Sequence, residues 1–201
     1  MKLLQTLLWL VVLNVCQTSS FAADANTPAY DSTKNFLGEN PYPYKGQTLY
    51  LNKRPQFLRD EGYEGFVNDY TIDKYSRANI YQCCGTSFSN YDALAGMYFE
   101  VLDVVHHPKA DKWPIRYGSV YYLHLRDIKR NKTVYYEYHA NKDYMFPFIS
   151  MGFWAKAKQQ NVGRSIVFKS TMLYDKMDQQ SRELIYPAPG ETWKCTGVII
   201  D

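Results

Sequence analysis

The sequence predicts a mostly β protein, built as a small curved sheet or barrel, or as two SH3-like small barrels, with one short helix. The first reason is that short runs of alternating apolar and polar residues, separated by turn residues, follow one another from residue 41 onward. The second is the content of 19 tyrosines, because tyrosine favours strands, where its ring packs on a pleated face. The third is a strand pattern that recurs after three glycines.

The first 22 residues have the composition of a secretory signal peptide. Met1-Lys2 is a short positive start, residues 3–15 are mostly apolar, and Ser20 and Ala22 are the small residues at −3 and −1 that a signal peptidase reads. The apolar run is shorter than the roughly 20 residues of a membrane-spanning helix. We therefore expect cleavage after Ala22, no transmembrane segment after signal removal, and a location in the periplasm, at the cell surface or outside the cell.

A lipoprotein signal is the alternative for the same segment. Leu13 stands three positions before Cys16, as in a lipid attachment motif, but Val15 occupies the place of a small residue. Cleavage before Cys16 would tether the protein instead of releasing it.

Residues 23–40 are polar and show little periodicity, so we expect a flexible leader there. The β-rich domain then covers residues 41–201. This length suits one compact unit, or two subdomains that meet near residues 85–93.

A glycine followed by a strand pattern occurs at Gly46, Gly96 and Gly163. In each copy, apolar residues stand three and five positions after the glycine. A glycine can form the bend that leads into a strand, and strand residues two positions apart share one face. The pattern therefore predicts three strands that each begin just after a bend.

The clearest local element is a hairpin, with strands at residues 119–126 and 133–138 and a polar turn at 127–131. Residues 152–160 are the best helix candidate, although their apolar periodicity is poor. Residues 193–200 alternate as a closing strand.

The charge balance argues against two classes of partner. The whole chain carries a net charge of +3, and its first 22 residues hold one basic residue, Lys2, and no acidic one, which leaves +2. A chain so close to neutral has no electrostatic basis for binding nucleic acid or an anionic membrane surface.

Three cysteines remain after the signal: Cys83, Cys84 and Cys195. Export favours disulfides, and neighbouring cysteines seldom bridge because the peptide between them is strained. We therefore predict that one of the adjacent pair bonds to Cys195, with Cys84–Cys195 as the candidate. Such a bridge closes a loop of about 110 residues and contributes about 2–4 kcal/mol, while the spare thiol is buried.

The residues that most resemble a catalytic or metal site have simpler explanations. Cys84 lacks the apolar helix that follows the nucleophile of cysteine peptidases. His106 and His107 are adjacent and diverge on an extended chain, while Asp60-Glu61 lacks the alternating ligands of a calcium loop. No phosphate loop, dinucleotide fingerprint or nucleophile elbow is present. We therefore predict no cofactor and no metal, and a solvated loop around Asp60.

Part of the chain resembles a group of exported proteins. The matching segments are residues 94–101, 121–125, 133–136 and 146–149, followed by a lysine-bearing stretch that ends at Val162-Gly163. Over residues 93–170, less than half of the chain, they resemble uncharacterised exported β-rich proteins of gut Bacteroidetes. The resemblance implies an exported β domain of unknown role and brings no catalytic residues.

These observations together predict a non-enzymatic binding or interaction module. Aromatic rings suit both sugar faces and protein partners, so the expected ligand is a glycan, a cell-wall component such as peptidoglycan, or a protein. The candidate binding residues are Trp113, Tyr122, Tyr136 and Tyr138, near the hairpin and its preceding loop; the alternative is that these rings only pack the sheet. The competing function is a cell-envelope hydrolase that uses Cys84 or a carboxylate pair.

Overall fold

The computed structural model describes residues 28–84, 88–108, 110, 120–169, 174–175, 184–185 and 188–200. Within them, the chain forms one six-stranded antiparallel sheet, two two-stranded sheets and two helices. The strands and helices are β1 Thr48–Leu51, β2 Phe66–Val67, α1 Tyr91–Leu94, β3 Tyr98–His106, β4 Tyr121–Asp127, β5 Lys132–Tyr138, β6 Phe148–Ser150, α2 Met151–Asn161, β7 Ser165–Val167, β8 Tyr174–Asp175, β9 Leu184–Ile185 and β10 Thr192–Lys194. The mostly-β prediction is confirmed. The predicted signal peptide and Cys16 lie outside the described residues.

The six-stranded sheet is open. Its strand order is β2-β5-β4-β3-β1-β6, so β2 and β6 are its two edges and it does not close into a barrel. The predicted hairpin is confirmed as β4 and β5, which pair from Tyr121–Tyr138 to Asp127–Lys132. Strands that precede and follow residues 85–93 belong to this one sheet, because β1 pairs with β3 and β2 pairs with β5.

The three glycine-led strands are present. Gly46, Gly96 and Gly163 have φ values of 79°, 73° and 85°, and β1, β3 and β7 each begin two residues later. The apolar residues of the first two strands lie in the core, whereas Ile166 of β7 is 48% exposed. The reason is that β7 pairs with β10 in a separate two-stranded sheet and not with the six-stranded sheet.

The core is largely aromatic, and its tyrosines fasten loops to the sheet. The hydroxyl of Tyr138 donates to the carbonyl of Gly38 at 2.9 Å, and that of Tyr136 donates to the carbonyl of Met145 at 3.0 Å. Tyr44 and Tyr63 donate in the same way to the carbonyls of Asn35 and Asn52. A phenylalanine would fill the same space, but only tyrosine satisfies a loop carbonyl at the edge of an apolar core.

The described part of the predicted leader, residues 28–40, lies against the core. Tyr30, Phe36 and Leu37 pack on the buried cluster, and the Phe36 ring stacks on Tyr138 with centroids 5.6 Å apart. The three apolar residues are dispersed among polar ones, so they form no periodic pattern in the sequence.

Both edges of the six-stranded sheet are covered by other parts of the chain. At β6, the side-chain amide of Asn35 donates to the carbonyl of Phe148 at 2.7 Å and accepts the N–H of Ser150 at 2.8 Å. At β2, Tyr81 donates its backbone N–H to Phe66, and Asn68 donates to Asn79. Uncovered strand edges promote pairing between molecules, and these contacts prevent it.

Helix α2 agrees with the predicted residues 152–160. It begins after Ser150, and Gly152 fits closely there, because a Cβ at this position would lie 2.9 Å from Gln47 Oε1 and 3.0 Å from Tyr30 Cε1. Neither helix among the described residues is long and apolar enough to cross a membrane.

Replacing Gly62 by alanine is expected to destabilise the fold much more than replacing Gly46. Both glycines have positive φ, a conformation that costs an alanine about 1–2 kcal/mol. At Gly62 a Cβ would also lie 2.0 Å from the backbone carbonyl oxygen of Ser89, whereas nothing lies within 4 Å at Gly46. Urea unfolding should therefore give a clearly larger loss for Gly62→Ala; equal losses in the two variants would contradict the close approach.

Replacing Asn35 by alanine is expected to expose the β6 edge. The variant leaves two buried backbone groups of β6 without partners, which costs about 1–3 kcal/mol each. Urea unfolding should show the loss, and light scattering should show association of the variant at high protein concentration. Asn161→Ala, which removes a hydrogen bond on the exposed surface of α2, is the control and should change neither.

Candidate functional site

The structure corrects the predicted aromatic contact surface. Tyr122, Tyr136 and Tyr138 are 2%, 3% and 0% exposed, so they pack the protein and offer almost no contact area. Tyr136 and Tyr138 point into the core. Tyr122 lies on the opposite face of the sheet, where Tyr70 and His107 cover it. Trp113 lies outside the described residues.

The opposite face of the sheet carries a row of rings that pack on one another. His124 and Tyr135 are cross-strand neighbours whose rings stack 4.6 Å apart at an angle of 12°, and Tyr70 contacts Tyr135 at 4.7 Å. Because each ring covers the face of its neighbour, little ring face is left for a ligand. Burial lowers the pKa of His124, and the nearby carboxylate of Asp103 opposes that effect. This row stabilises the sheet.

The predicted Cys84–Cys195 bridge stays a prediction. Cys83 and Cys84 are neighbours in the chain and their sulfurs lie together, whereas Cys195 is half-buried. Cys195 belongs to the small sheet of β7 and β10, where its backbone pairs with Gly163 and Arg164. Cys84 precedes α1 in another part of the fold.

A polar groove lies beside the start of α1. One wall is the turn at residues 56–62 and the other is residues 89–92. Its volume is about 470 Å³, within the range of pockets that bind small molecules. The lining side chains are those of Gln56, Arg59, Asp60, Glu61, Ser89, Asn90, Tyr91 and Asp92.

The two walls of the groove are joined by backbone hydrogen bonds. Tyr63 donates its N–H to the carbonyl of Ser89 at 2.9 Å, and Ser89 donates to the carbonyl of Tyr63 at 3.1 Å. Gly62 allows this approach because it has no Cβ. The rings of Tyr63 and Tyr91 also stack across the junction, with centroids 5.7 Å apart at 12°. The groove is therefore held open by the fold itself.

Two arginines are fixed beside these rings. The guanidinium carbon of Arg59 lies 5.3 Å from the centre of the Tyr91 ring, and that of Arg54 lies 5.3 Å from the centre of the Tyr63 ring. Arg59 donates from Nε to the carbonyl of Arg54 at 3.1 Å, and Arg54 lies 3.8 Å from a carboxylate oxygen of Glu61. The groove therefore contains held charges of both signs.

Helix α1, which supplies one wall, is positioned by a buried ion pair. Arg130 donates to the carboxylate of Asp127 at 2.8 Å and to the carbonyl of Ala93 in α1 at 2.8 Å. Tyr81 donates its hydroxyl to the same carboxylate at 2.9 Å. Burial alone raises the pKa of Asp127, but these hydrogen bonds and the charge of Arg130 outweigh it and hold the pKa below its ordinary value. At the other end of the wall, the side chain of Asn90 accepts the N–H of Ala93.

The sequence predicted a solvated loop around Asp60 and Glu61 and gave no indication of the groove. The two acidic residues line it, together with residues about 30 positions further along the chain. A signal in the sequence was the aromatic residue Phe57 among the polar residues of this turn. In the structure, 80% of the Phe57 surface is exposed. In the described residues, no three histidine, cysteine, aspartate or glutamate side chains come together to hold a metal ion.

No protein-family model, curated protein or solved structure matches the chain. The resemblance to exported proteins of gut Bacteroidetes therefore stays a prediction.

Replacing Asp127 by asparagine is expected to destabilise the protein by about 1–3 kcal/mol, because the partly buried charge of Arg130 loses its carboxylate. The stability of the wild type should also depend on this group at low pH. Since the pKa of Asp127 is lower in the folded protein, its contribution is full above the ordinary value of 3.8 and is lost as the pH falls through the folded-state pKa. Urea unfolding between pH 2 and 6 measures both effects. Asp143→Asn, at an exposed acidic residue, is the control and should leave stability unchanged.

Proposed function

We propose that this protein is an exported, non-enzymatic binding module whose groove between residues 56–62 and 89–92 binds a neutral glycan. The observation that carries the proposal is the groove itself: a cavity of about 470 Å³ with rigid walls, lined by carboxylate, amide and guanidinium groups. The export part of the proposal rests on the composition of residues 1–22.

The chemistry of the lining suits a ligand with many hydroxyl groups. Carboxylates accept hydrogen bonds from hydroxyls, the guanidinium of Arg59 donates them in a fixed fork, and Gln56 and Asn90 have both functions. Phe57 is not one of the lining residues, but it belongs to the turn that forms one wall, and 80% of its surface is exposed. An exposed aromatic ring supplies the apolar surface on which the C–H face of a sugar packs.

The charges of the groove favour a neutral glycan. Asp60, Glu61 and Asp92 line the groove together with Arg59, and Arg54 is paired with Glu61. With held charges of both signs and a chain close to neutral overall, neither a polyanion nor a polycation is attracted over distance.

A glycoside hydrolase is the alternative that the same groove supports, because it contains three carboxylates. Hydrolysis requires two carboxyl groups about 5–5.5 Å apart in a retaining enzyme, or about 6.5–9.5 Å apart in an inverting one. If the protein releases new reducing ends from a bound oligosaccharide, its function is hydrolysis of the glycan and not binding alone.

Binding is tested by calorimetry with cellohexaose, xylohexaose and mannohexaose, and with polygalacturonate and chitosan as charged comparisons. We expect at least one neutral hexasaccharide to bind in preference to the charged polymers. Phe57→Ala should weaken that binding by about tenfold, since a lost aromatic contact costs about 1–1.5 kcal/mol.

The matched control is Tyr144→Ala, which removes an aromatic ring of similar exposure, 77%, from a segment that supplies neither wall of the groove. It should leave the affinity unchanged. Binding of none of the neutral hexasaccharides, or equal losses in the two variants, would contradict the proposal.

A further inference from the structure

The segment of residues 68–80, named here the 68–80 loop, is built as one unit around Asn79. This side chain is 4% exposed, donates to the carbonyls of Asp69, Ile72 and Asp73, and accepts the backbone N–H of Asp69 at 2.8 Å. Asp69 closes a second turn by accepting the N–H of Thr71. These hydrogen bonds lie within the loop, so its middle part can move away from the sheet without breaking them while Ile80 stays paired with Val67 of β2.

Two contacts hold the 68–80 loop on the face of the sheet opposite to the core. The ring of Tyr70 packs on Tyr135 and Tyr122. The ammonium of Lys74 lies 2.5 Å from a carboxylate oxygen of Glu137 in β5. The Glu137 side chain is 6% exposed and that of Lys74 is 24% exposed, so the ion pair is shielded from solvent and from salt.

His139 lies next to this ion pair. Its Nε2 atom is 4.0 Å from the same oxygen of Glu137, and its side chain is 5% exposed. Burial lowers the pKa of His139, and the lysines at 74 and 142 lower it further, against the opposite effect of the acidic groups of Glu137 and Glu64. His139 is therefore neutral at pH 7, and Lys74 is the cation that pairs with the carboxylate of Glu137.

The groups around Glu137 come from four parts of the chain. Asp73, Lys74 and Tyr75 belong to the 68–80 loop, Glu64 precedes β2, Tyr122 belongs to β4, and His139 and Lys142 follow β5. A proton on His139 places a second cation beside the carboxylate of Glu137 and repels both lysines. It also leaves a charge in a buried position that favours hydration.

The 68–80 loop and the groove have a common neighbour in Ser89. Lys74 and Tyr75 line a small cavity that also contacts Tyr63 and Ser89. Ser89 is fully buried, lines the groove as well, and forms with Tyr63 the backbone pair that joins the groove walls. Movement of the loop therefore changes the surroundings of Ser89, the residue that joins the groove walls.

We propose, resting on the proposed function, that protonation of His139 releases the 68–80 loop from the sheet and weakens glycan binding in the groove. The protein then holds its glycan at neutral pH and releases it in acid. The sign follows from linkage: the unfolded or open form binds the proton more readily, so the closed form loses stability as the pH falls below about 6.5.

The loop movement is tested by hydrogen exchange of the full chain at pH 7.5 and pH 5.0, expressed as protection factors. We expect wild-type residues 69–79 to lose about tenfold in protection at pH 5.0. His139→Gln, which keeps a neutral polar side chain, should show equal protection at both pH values. His106→Gln, at an exposed histidine, is the control and should behave as the wild type. Equal wild-type protection at the two pH values, or an unchanged loss in His139→Gln, overturns the proposal.

A second variant tests the ion pair between Lys74 and Glu137 while His139 stays unchanged. Lys74→Gln removes the cation that clamps the loop, so its residues 69–79 should have low protection at both pH values. Full protection of this variant at pH 7.5 overturns the proposal, whatever the behaviour of His139→Gln.

The link to the groove is measured with whichever of cellohexaose, xylohexaose and mannohexaose has the lowest Kd at pH 7.5. We expect its affinity for the wild type to fall by about tenfold at pH 5.0 and to be constant in His139→Gln. A loop that responds to acid with constant affinity overturns the coupling alone. Binding of none of the three at pH 7.5 overturns the proposed function, and the hydrogen-exchange result then judges the loop movement by itself.

Discussion

The fold depends on tyrosine hydroxyl groups that are buried at the rim of an apolar core and donate to loop carbonyls. Tyr44, Tyr63, Tyr136 and Tyr138 each contribute a ring to the same aromatic cluster and a hydrogen bond to a different irregular segment. A short-stranded open sheet has few backbone ladders with which to order its loops. The phenol group solves this problem because one side chain supplies both apolar area and a directional bond. These four tyrosines are thus a structural requirement and are not available for binding.

The sequence predictions that succeeded rest on local patterns. Glycine bends, alternation and the hairpin turn are local, so β1, β3, the β4–β5 hairpin and α2 could be predicted within a few residues of their observed limits. Alternation also shows which side chains share a face of a strand. It does not show which face another segment covers. Tyr122 was chosen as a contact residue for this reason, and it lies beneath Tyr70 from a loop about 50 residues earlier in the chain.

The groove could not be found in the same way, because its two walls carry no common pattern. Asp60 and Glu61 have the composition of any solvated turn, and residues 89–92 are the short approach to a one-turn helix. They meet because Gly62 allows the Ser89 carbonyl to come close and because Arg130 fixes α1 from a third part of the chain. Such a site is specified by non-local contacts, which a single sequence does not display. The edges of the sheet are a similar case: the sequence was compatible with a curved sheet or a barrel, and it is Asn35 and residues 79–81 that end the sheet on either side.

The amide of Asn35 on β6 also has a consequence for the order of folding. Its two hydrogen bonds join positions 113 and 115 residues apart, whereas β3, β4 and β5 are neighbours in sequence and pair locally. Contacts at such separation form late, because closing a long loop costs entropy that must be offset by a surface already in place. The segment around Asn35 can therefore take up its final position only after residues near 150 have folded. Until this late contact forms, the β6 edge stays open to pairing with other molecules.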